Sequence, residues 1–199
     1  FIDENNPCYK EVEDVFAEIQ KRFDVTASAN YDLVYDQIVS RGEMLSSIIV
    51  SHYFTQCGIK NSWKDARKFI RTDSTFREGK VDWNASQTMA NKELIPNFIG
   101  SAEKNIIVTQ GFIGSTSIGL TTTLGREGSD YTAAILAYLL DTTDVTIWKD
   151  VAGFMNADPK KYDKAVKLDK ISFKEALELS YYGASIIHPK TIKPLQNKD

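Results

Sequence analysis

The sequence predicts an α/β protein in which helices cover both faces of a mainly parallel sheet. Three observations carry that prediction. An apolar run, Ile106-Ile107-Val108, passes through Gly111 and a Gly/Ser/Thr-rich stretch into a helical pattern from Asp130 to Leu140. A β-branched segment, Val145-Thr146-Ile147-Trp148, follows it, which gives the strand, loop, helix, strand order of a βαβ unit. Further helical segments with one apolar stripe stand on either side of this unit, as a sheet covered on both faces requires.

Taken in order, Val12, Val15, Phe16, Ile19 and Phe23 recur at three- and four-residue steps and predict a helix from Glu11 to Phe23. A second helix is predicted from about Glu43 to Phe54, with Leu45, Ile48, Ile49 and Tyr53 along one side and Gly58 as its stop. Between Trp63 and Trp83 the pattern is mixed and predicts only a short strand near Lys68 to Arg71. After the βαβ segment, Ser172 with Glu175 forms a capping box that opens a helix to about Tyr182, stopped by Gly183 and followed by extended Ser185-Ile186-Ile187. Tyr181 and Tyr182 are expected in the core. No internal repeat, low-complexity tract or linker interrupts the 199 residues, so one domain is expected.

Composition excludes several classes of function. An apolar content of 42% and a charged content of 26% suit a protein with one sizeable core. The net charge of -3 is spread along the chain, which argues against a nucleic-acid partner. Cys8 and Cys57 are far apart and lack metal-type companions, so neither a disulfide framework nor a zinc site is expected and a reducing cytoplasm fits. His52 and His188 have no metal-spaced partners and read as structural. The longest apolar run, Ala133 to Leu140, is too short to cross a bilayer, and no signal segment opens the chain; a soluble protein without a membrane partner is expected. Because the chain starts at Phe1 without Met and stops after Lys198-Asp199, both ends are expected to be cuts.

Parallel sheets bind ligands beyond the carboxyl ends of their strands, which directs attention to the loops after Val108 and after Trp148. The first holds Gly111, Gly114, Gly119, Gly125 and Gly128 among Ser115, Thr116, Ser117, Thr121, Thr122, Thr123 and Ser129. Glycines admit close approach of backbone N–H groups to an anion, hydroxyls add donors, and a helix start adds its positive dipole end, so the stretch outlines a phosphate cradle. A plain surface loop capped by Ser129 is the equal alternative. Its spacing matches neither Walker A nor the dinucleotide fingerprint. Arg126 suits a bidentate grip on a carboxylate or phosphate, or else stands as a solvated loop arginine. Asp130 either caps the helix beside Ser129 or orients a cation that neutralises a transferring phosphoryl group. In the second loop, Lys149, Asp150, Asn156, Asp158 and Lys160 crowd a strand end. There a carboxylate suits Mg-nucleotide or a ribose hydroxyl and the lysines suit phosphates, with exposed loop charges as the alternative. Glu43 lies three residues after Ser40, which makes it a candidate capping-box partner as well.

Four motifs then stand in a recognisable order: Thr109-Gln-Gly-Phe-Ile-Gly-Ser115; Thr121-Thr-Thr-Leu-Gly-Arg-Glu-Gly-Ser-Asp-Tyr-Thr-Ala133; Lys149-Asp-Val-Ala-Gly153 with Asp158-Pro159; and Tyr182-Gly-Ala184 with His188-Pro189. In these the chain resembles the aspartate kinases of the amino-acid kinase family, most tightly from Asn105 to Gln196. The resemblance implies a three-layer α/β/α sandwich. It also implies ATP-dependent phosphorylation of the β-carboxylate of L-aspartate to 4-phospho-L-aspartate, with Mg2+, in lysine, threonine and methionine synthesis. Ser40-Arg-Gly-Glu-Met-Leu-Ser46 looks like the family element whose glutamate, here Glu43, meets the substrate amino group. By the same resemblance Arg126 clamps a substrate carboxylate with Ser129 nearby, and Asp130 positions a phosphate-gripping lysine. Lys149 and Asp150 contact nucleotide, Met155 lies against the adenosine, Lys160 reaches phosphate, and Ser185 and Ile186 complete that pocket.

Two positions depart from the family pattern, which commonly has Thr at Lys149 and Lys at Ser185. The family's opening K-F-G-G-T-S strand and its paired ACT regulatory domains have no counterpart in the chain. Residues 1–199 are therefore expected to be part of a kinase catalytic domain, inert as a module by itself, from a parent that is a cytoplasmic homodimer. A sister amino-acid kinase acting on another small carboxylate is the alternative within the family.

Overall fold

The computed structural model describes residues 2–23, 30–98, 105–181 and 186–196. It divides into two compact units, Phe1–Ser129 and Asp130–Asp199.

In the first unit, helix α1 (Cys8–Phe23) packs on helix α2 (Tyr31–Gln56) through a cluster of Cys8, Val15 and Ile48, joined by Val12, Ile19, Leu45 and Trp63. The periodicity in α1 was thus a true core stripe, with one exception. Phe16 is 56% exposed, because one step beyond Val15 rotates it about 100° away from α2. The side chain of Phe23 lies outside the described residues.

Helix α2 starts twelve residues earlier than its apolar pattern predicts. Asn30 caps it, its Oδ1 accepting from the Asp32 N–H at 2.9 Å. The early turns are hard to see in sequence because their inward face is polar: Asp36, Gln37, Ser40 and Arg41 are all buried. Ser40 therefore sits mid-helix, where its hydroxyl turns back to the Gln37 carbonyl, and the capping box with Glu43 does not form. Ile49 and Tyr53, expected to be inward, are 42% and 41% exposed. The predicted stop is real: Gly58 adopts φ 76°, and the N–H groups of Gly58 and Ile59 close on the carbonyls of Thr55 and Phe54.

Strands β1 (Asn61–Lys64) and β2 (Ile106–Thr109) pair in parallel, Asn61 opposite Ile106 through Lys64 opposite Thr109. The predicted strand at 68–71 is instead a 3-10 turn, Ala66–Lys68, capped by Asp65, after which Arg71 makes a single bridge to Ser115. Phe69 and Ile70 are apolar because they are fully buried, not because they join a ladder. Helix α3 (Trp83–Glu93), capped by Asp82, has no apolar stripe to announce it: its buried residues are Ser86 and Ala90. The Gly/Ser/Thr stretch also holds unforeseen order. Strands β3 (Ile113–Ser115) and β4 (Thr121–Thr123) pair antiparallel, Gly114 opposite Thr122, across a turn in which Gly119 takes φ 82°. Helix α2 packs against α1, β1, β2 and β4.

The second unit takes most of helix α4 (Gly128–Leu139), then α5 (Phe173–Tyr181) packed on α6 (Pro189–Gln196). Its buried apolar residues include Tyr131, Ala134, Ile135, Leu139, Ala176 and Ile192. The predicted capping box holds: Ser172 N–H and hydroxyl both reach Glu175 Oε2, and the Glu175 N–H returns to Ser172 Oγ. The predicted strand Val145–Trp148 does not form. Val145 is 37% and Trp148 91% exposed, and no described residue pairs with the segment. A strand exists only within a ladder, so β-branched content alone cannot make one. Ile186 and Ile187 lie in a turn before α6, not in an extended run, and Tyr181 is 70% exposed, not core. Tyr182, Gly183, Ala184 and Ser185 lie outside the described residues. Among the described residues no helix is long and apolar enough to cross a membrane.

Candidate active site

In the first unit the site is built on the polar inward face of α2. Asp36, fully buried, accepts from the Thr123 N–H at 2.9 Å and the Arg77 N–H at 2.8 Å on Oδ2, and from the Thr123 hydroxyl at 2.7 Å on Oδ1. Gln37 donates from Nε2 to the Thr121 carbonyl at 2.7 Å, and the Thr121 N–H returns to its Oε1 at 3.3 Å. Two adjacent side chains thus pair with one edge of β4 much as a neighbouring strand would.

Glu43 follows Asp36 by seven residues, two helical turns, and so shares its face about 10 Å along the axis. It is half-buried, and burial pushes its carboxyl above the usual range. Among the described residues no ion pair or hydrogen bond reaches that carboxylate.

Arg126 stands exposed in the turn between β4 and α4, between two left-handed residues, Gly125 at φ 76° and Glu127 at φ 53°. Its guanidinium has no partner among the described residues. Gly125 is packed tightly: a Cβ there would meet Glu78 Cγ at 3.1 Å and the Arg77 carbonyl at 3.2 Å. Ser129 is exposed in the first turn of α4 and lies directly against Gly111, where a Cβ would come within 2.9 Å of the Ser129 Cα, Cβ and Oγ. Gly128 is covered in the same way by Phe112, itself at φ 70°.

Several hydroxyls that the phosphate-cradle reading counted as donors are engaged within the fold. Thr121, Thr122 and Thr123 are buried, and their hydroxyls face Arg67, Thr72 and Asp36, while Ser115 donates to the Arg67 carbonyl. These hydroxyls tie the hairpin to its surroundings. What remains of the loop for a ligand is its end, Arg126 to Ser129.

In the second unit, Lys149 Nζ lies 2.6 Å from Asp130 Oδ2, with side chains 22% and 14% exposed. Asp130 stands in the first turn of α4, where a carboxylate is favoured by the helix dipole, and it holds a cation at the same time. Asp150, next along, is exposed. Met155 is half-buried and bridges to Lys167, an arrangement reinforced by the Asn156 N–H on the Val166 carbonyl and the Leu168 N–H on the Phe154 carbonyl. Asp158 turns the chain at Pro159: its Oδ1 accepts from the Lys160 N–H at 2.9 Å, and the Lys160 side chain is exposed. Ile186 is half-buried. Ser185 lies outside the described residues. Both histidines make contacts within the fold: His188 Nδ1 accepts from the Lys190 N–H at the start of α6, and His52 meets Glu11 across α1 and α2.

Sequence reasoning missed Asp36, Gln37 and Gln110. Gln110, 1% exposed, accepts from the Ala66 N–H and donates to Ser47 Oγ, which also receives the Trp63 indole N–H. A polar residue inside a motif of otherwise apolar and small residues was the available signal. Among the described residues no group of three or more His, Cys, Asp or Glu side chains could hold a metal ion.

The amino acid kinase family pattern matches residues 4–199. The chain is 36% identical over 194 residues to the lysine-sensitive aspartokinase 3 of Escherichia coli, covering 98% of this chain and 42% of that protein. It is 37% identical over 161 residues to the chloroplastic bifunctional aspartokinase/homoserine dehydrogenase 2 of Arabidopsis thaliana, covering 80% of this chain and 17% of that one. Among solved structures, E. coli aspartokinase III in complex with aspartate and ADP superposes with a TM-score of 0.88 at 35% identity, over all of this chain and 43% of that one. The aspartate kinase of Clostridium acetobutylicum does so with 0.71 at 28%, over 94% and 37%. The chain therefore spans about two-fifths of the length of the E. coli relative. With its fold and its sequence both matched, the chain belongs to the amino acid kinase family.

Proposed function

We propose that the protein carrying this chain transfers the γ-phosphoryl group of ATP to the β-carboxylate of L-aspartate, giving 4-phospho-L-aspartate. The observation that carries this reading is the pair of unpartnered opposite charges in the first unit. Among the described residues Glu43 is a half-buried carboxylate without a cation, and Arg126 is an exposed guanidinium without an anion. An α-amino acid supplies the missing partners: its ammonium suits Glu43 and its carboxylate suits Arg126, with the Ser129 hydroxyl as a further donor. The aspartokinases named above are similar over 80% or more of the chain.

The nucleotide is assigned to the second unit, with Lys149 and Lys160 toward phosphates, Asp150 toward Mg-nucleotide or ribose, and Met155, Ser185 and Ile186 toward adenosine. Asp130 fixes Lys149 so that its ammonium meets a phosphate in one place. Asp150 would face Mg2+ carried by the nucleotide, and the ion would supply charge neutralisation at the phosphates. A carboxylate is already nucleophilic at neutral pH, so no general base is required; the chain's residues bind, orient and screen charge. The reading extends to a cytoplasmic homodimer serving lysine, threonine and methionine synthesis.

The test is ADP release by the whole protein with aspartate, glutamate or acetylglutamate as acceptor. Release dependent on aspartate is expected. Release with glutamate or acetylglutamate in its place would assign a sister kinase instead.

A further inference from the structure

We infer that Asp36 is a positioning residue, a buried carboxylate that fixes where Arg126 stands relative to Glu43. The inference rests on the proposed roles of those two residues toward the substrate. Asp36 itself is fully buried and touches no candidate ligand group, so its effect passes through what it holds. It holds two segments at once. One is Thr123, three residues before Arg126, taken by both backbone N–H and hydroxyl. The other is Arg77, whose N–H donates to the same carboxylate oxygen while its backbone sits at φ 67°, a conformation that a non-glycine residue adopts only when its surroundings impose it.

These two segments also meet each other next to Arg126. The Gly79 N–H donates to the Thr123 carbonyl at 2.8 Å, and the Arg77 carbonyl and Glu78 back directly onto Gly125. Thr123 thus has its N–H, hydroxyl and carbonyl all committed, and the residue before Arg126 is walled by the loop that Asp36 pins. Glu43 projects from the same face of the same helix. The carboxylate is therefore the shared reference point for both halves of the substrate clamp, and the distance between them is set through α2.

Its chemistry makes a specific prediction. An amide at position 36 can turn its oxygen to the two N–H donors and its NH2 to the Thr123 hydroxyl, which then accepts in place of donating. Asp36→Asn should therefore keep most of the function that Asp36→Ala loses. The experiment measures KM for aspartate, KM for ATP and kcat in the whole protein, with thermal unfolding of each variant. Asp36→Ala is expected to raise the aspartate KM about tenfold with the ATP KM within about twofold, and Asp36→Asn to return it to within about threefold of the parent. Thr123→Val, which exchanges one hydroxyl for a methyl group, serves if Asp36→Ala does not fold; it should raise the aspartate KM about threefold, and Asp36→Asn added to it should raise the KM further, because the amide NH2 then meets no hydroxyl. In an Arg126→Ala background Asp36→Ala should add almost nothing to the aspartate KM.

The inference is overturned if Thr123→Val leaves the aspartate KM unchanged, if both KM values rise together, or if the effects of Asp36→Ala and Arg126→Ala add in full. An Arg126→Ala variant with unchanged aspartate kinetics would overturn the clamp itself and the positioning role with it. A crippled Arg126→Ala beside an unaffected Asp36→Ala would overturn the positioning role alone.

Discussion

Lys149 Nζ lies 2.6 Å from Asp130 Oδ2, and both side chains are largely covered. A pair this close and this shielded is asymmetric: removing one member strips the other of this opposite charge, whereas removing both is far milder. Asp130→Ala is expected to cost about 1–3 kcal/mol of stability and Lys149→Ala a similar amount, with the double variant closer to the parent than the sum. Thermal or urea unfolding of the four proteins checks this. In kinetics of the whole protein, both single variants should raise the KM for ATP more than that for aspartate; equal effects on the two would remove Lys149 from the phosphate site.

Arg126 offers the complementary case, since it is exposed and has no partner within the described residues. Arg126→Ala should leave the unfolding midpoint within experimental error while weakening the aspartate-dependent kcat/KM by about 2–4 kcal/mol, the loss of a charge-assisted contact. Arg126→Lys should recover only part, because an ammonium cannot reproduce the two-pronged contact. Wild-type aspartate kinetics in Arg126→Ala would refute the clamp.

Helix α1, the second half of α2, α4, the capping box at Ser172 and the strand at Ile106–Val108 were legible in the sequence, as was the Gly58 stop. Each is a local signal: a period, a cap or a left-handed glycine. The misses share a different cause. The first turns of α2 present Asp36, Gln37 and Arg41 inward, so burial there is polar and has no hydrophobic period to betray it. The threonines of β4 read as loop hydroxyls because their hydrogen-bond partners, Asp36 and Gln37, come from 84 to 87 residues away. The Val145–Trp148 segment has strand propensity without a partner. Of the candidate site, charge and motif offered the end groups, Glu43, Arg126 and the Asp130 carboxylate. The scaffold that spaces them rests on long-range side-chain pairing, which no local pattern encodes.

Gly111 is constrained by contact, not by backbone angle. A methyl group there would lie 2.9 Å from the Ser129 Cα, and the obstacle is backbone at the start of α4, which cannot rotate away. Gly111→Ala is therefore expected to destabilise the protein by about 1–3 kcal/mol and to displace Ser129. Measured beside it, Ser129→Ala should leave stability nearly unchanged, since the side chain is exposed. Both should raise the KM for aspartate. If Gly111→Ala unfolds like the parent, the packing of the 111–112 segment against α4 is wrong.

Glu43 links stability to function through pH. Burial raises its carboxyl above the ordinary value in the folded protein. An acid shifted this way favours folding while protonated: the contribution is complete below the unfolded value and is lost as pH rises through the raised folded value. Above that range the ionised carboxylate, which no described residue partners, is thus a liability to the fold. Glu43→Gln should then be at least as stable as the parent at pH 7, and the difference should shrink as pH falls through the carboxylate range. The same variant should bind aspartate more weakly, because the charge that costs stability is the one that meets the ammonium. Aspartate should in turn raise the unfolding temperature of the parent more than that of Glu43→Gln. Unfolding scans across pH, with and without aspartate, test both halves. A Glu43→Gln protein that is less stable at pH 7 and stabilised equally by aspartate would show a carboxylate that serves the fold and not the ligand.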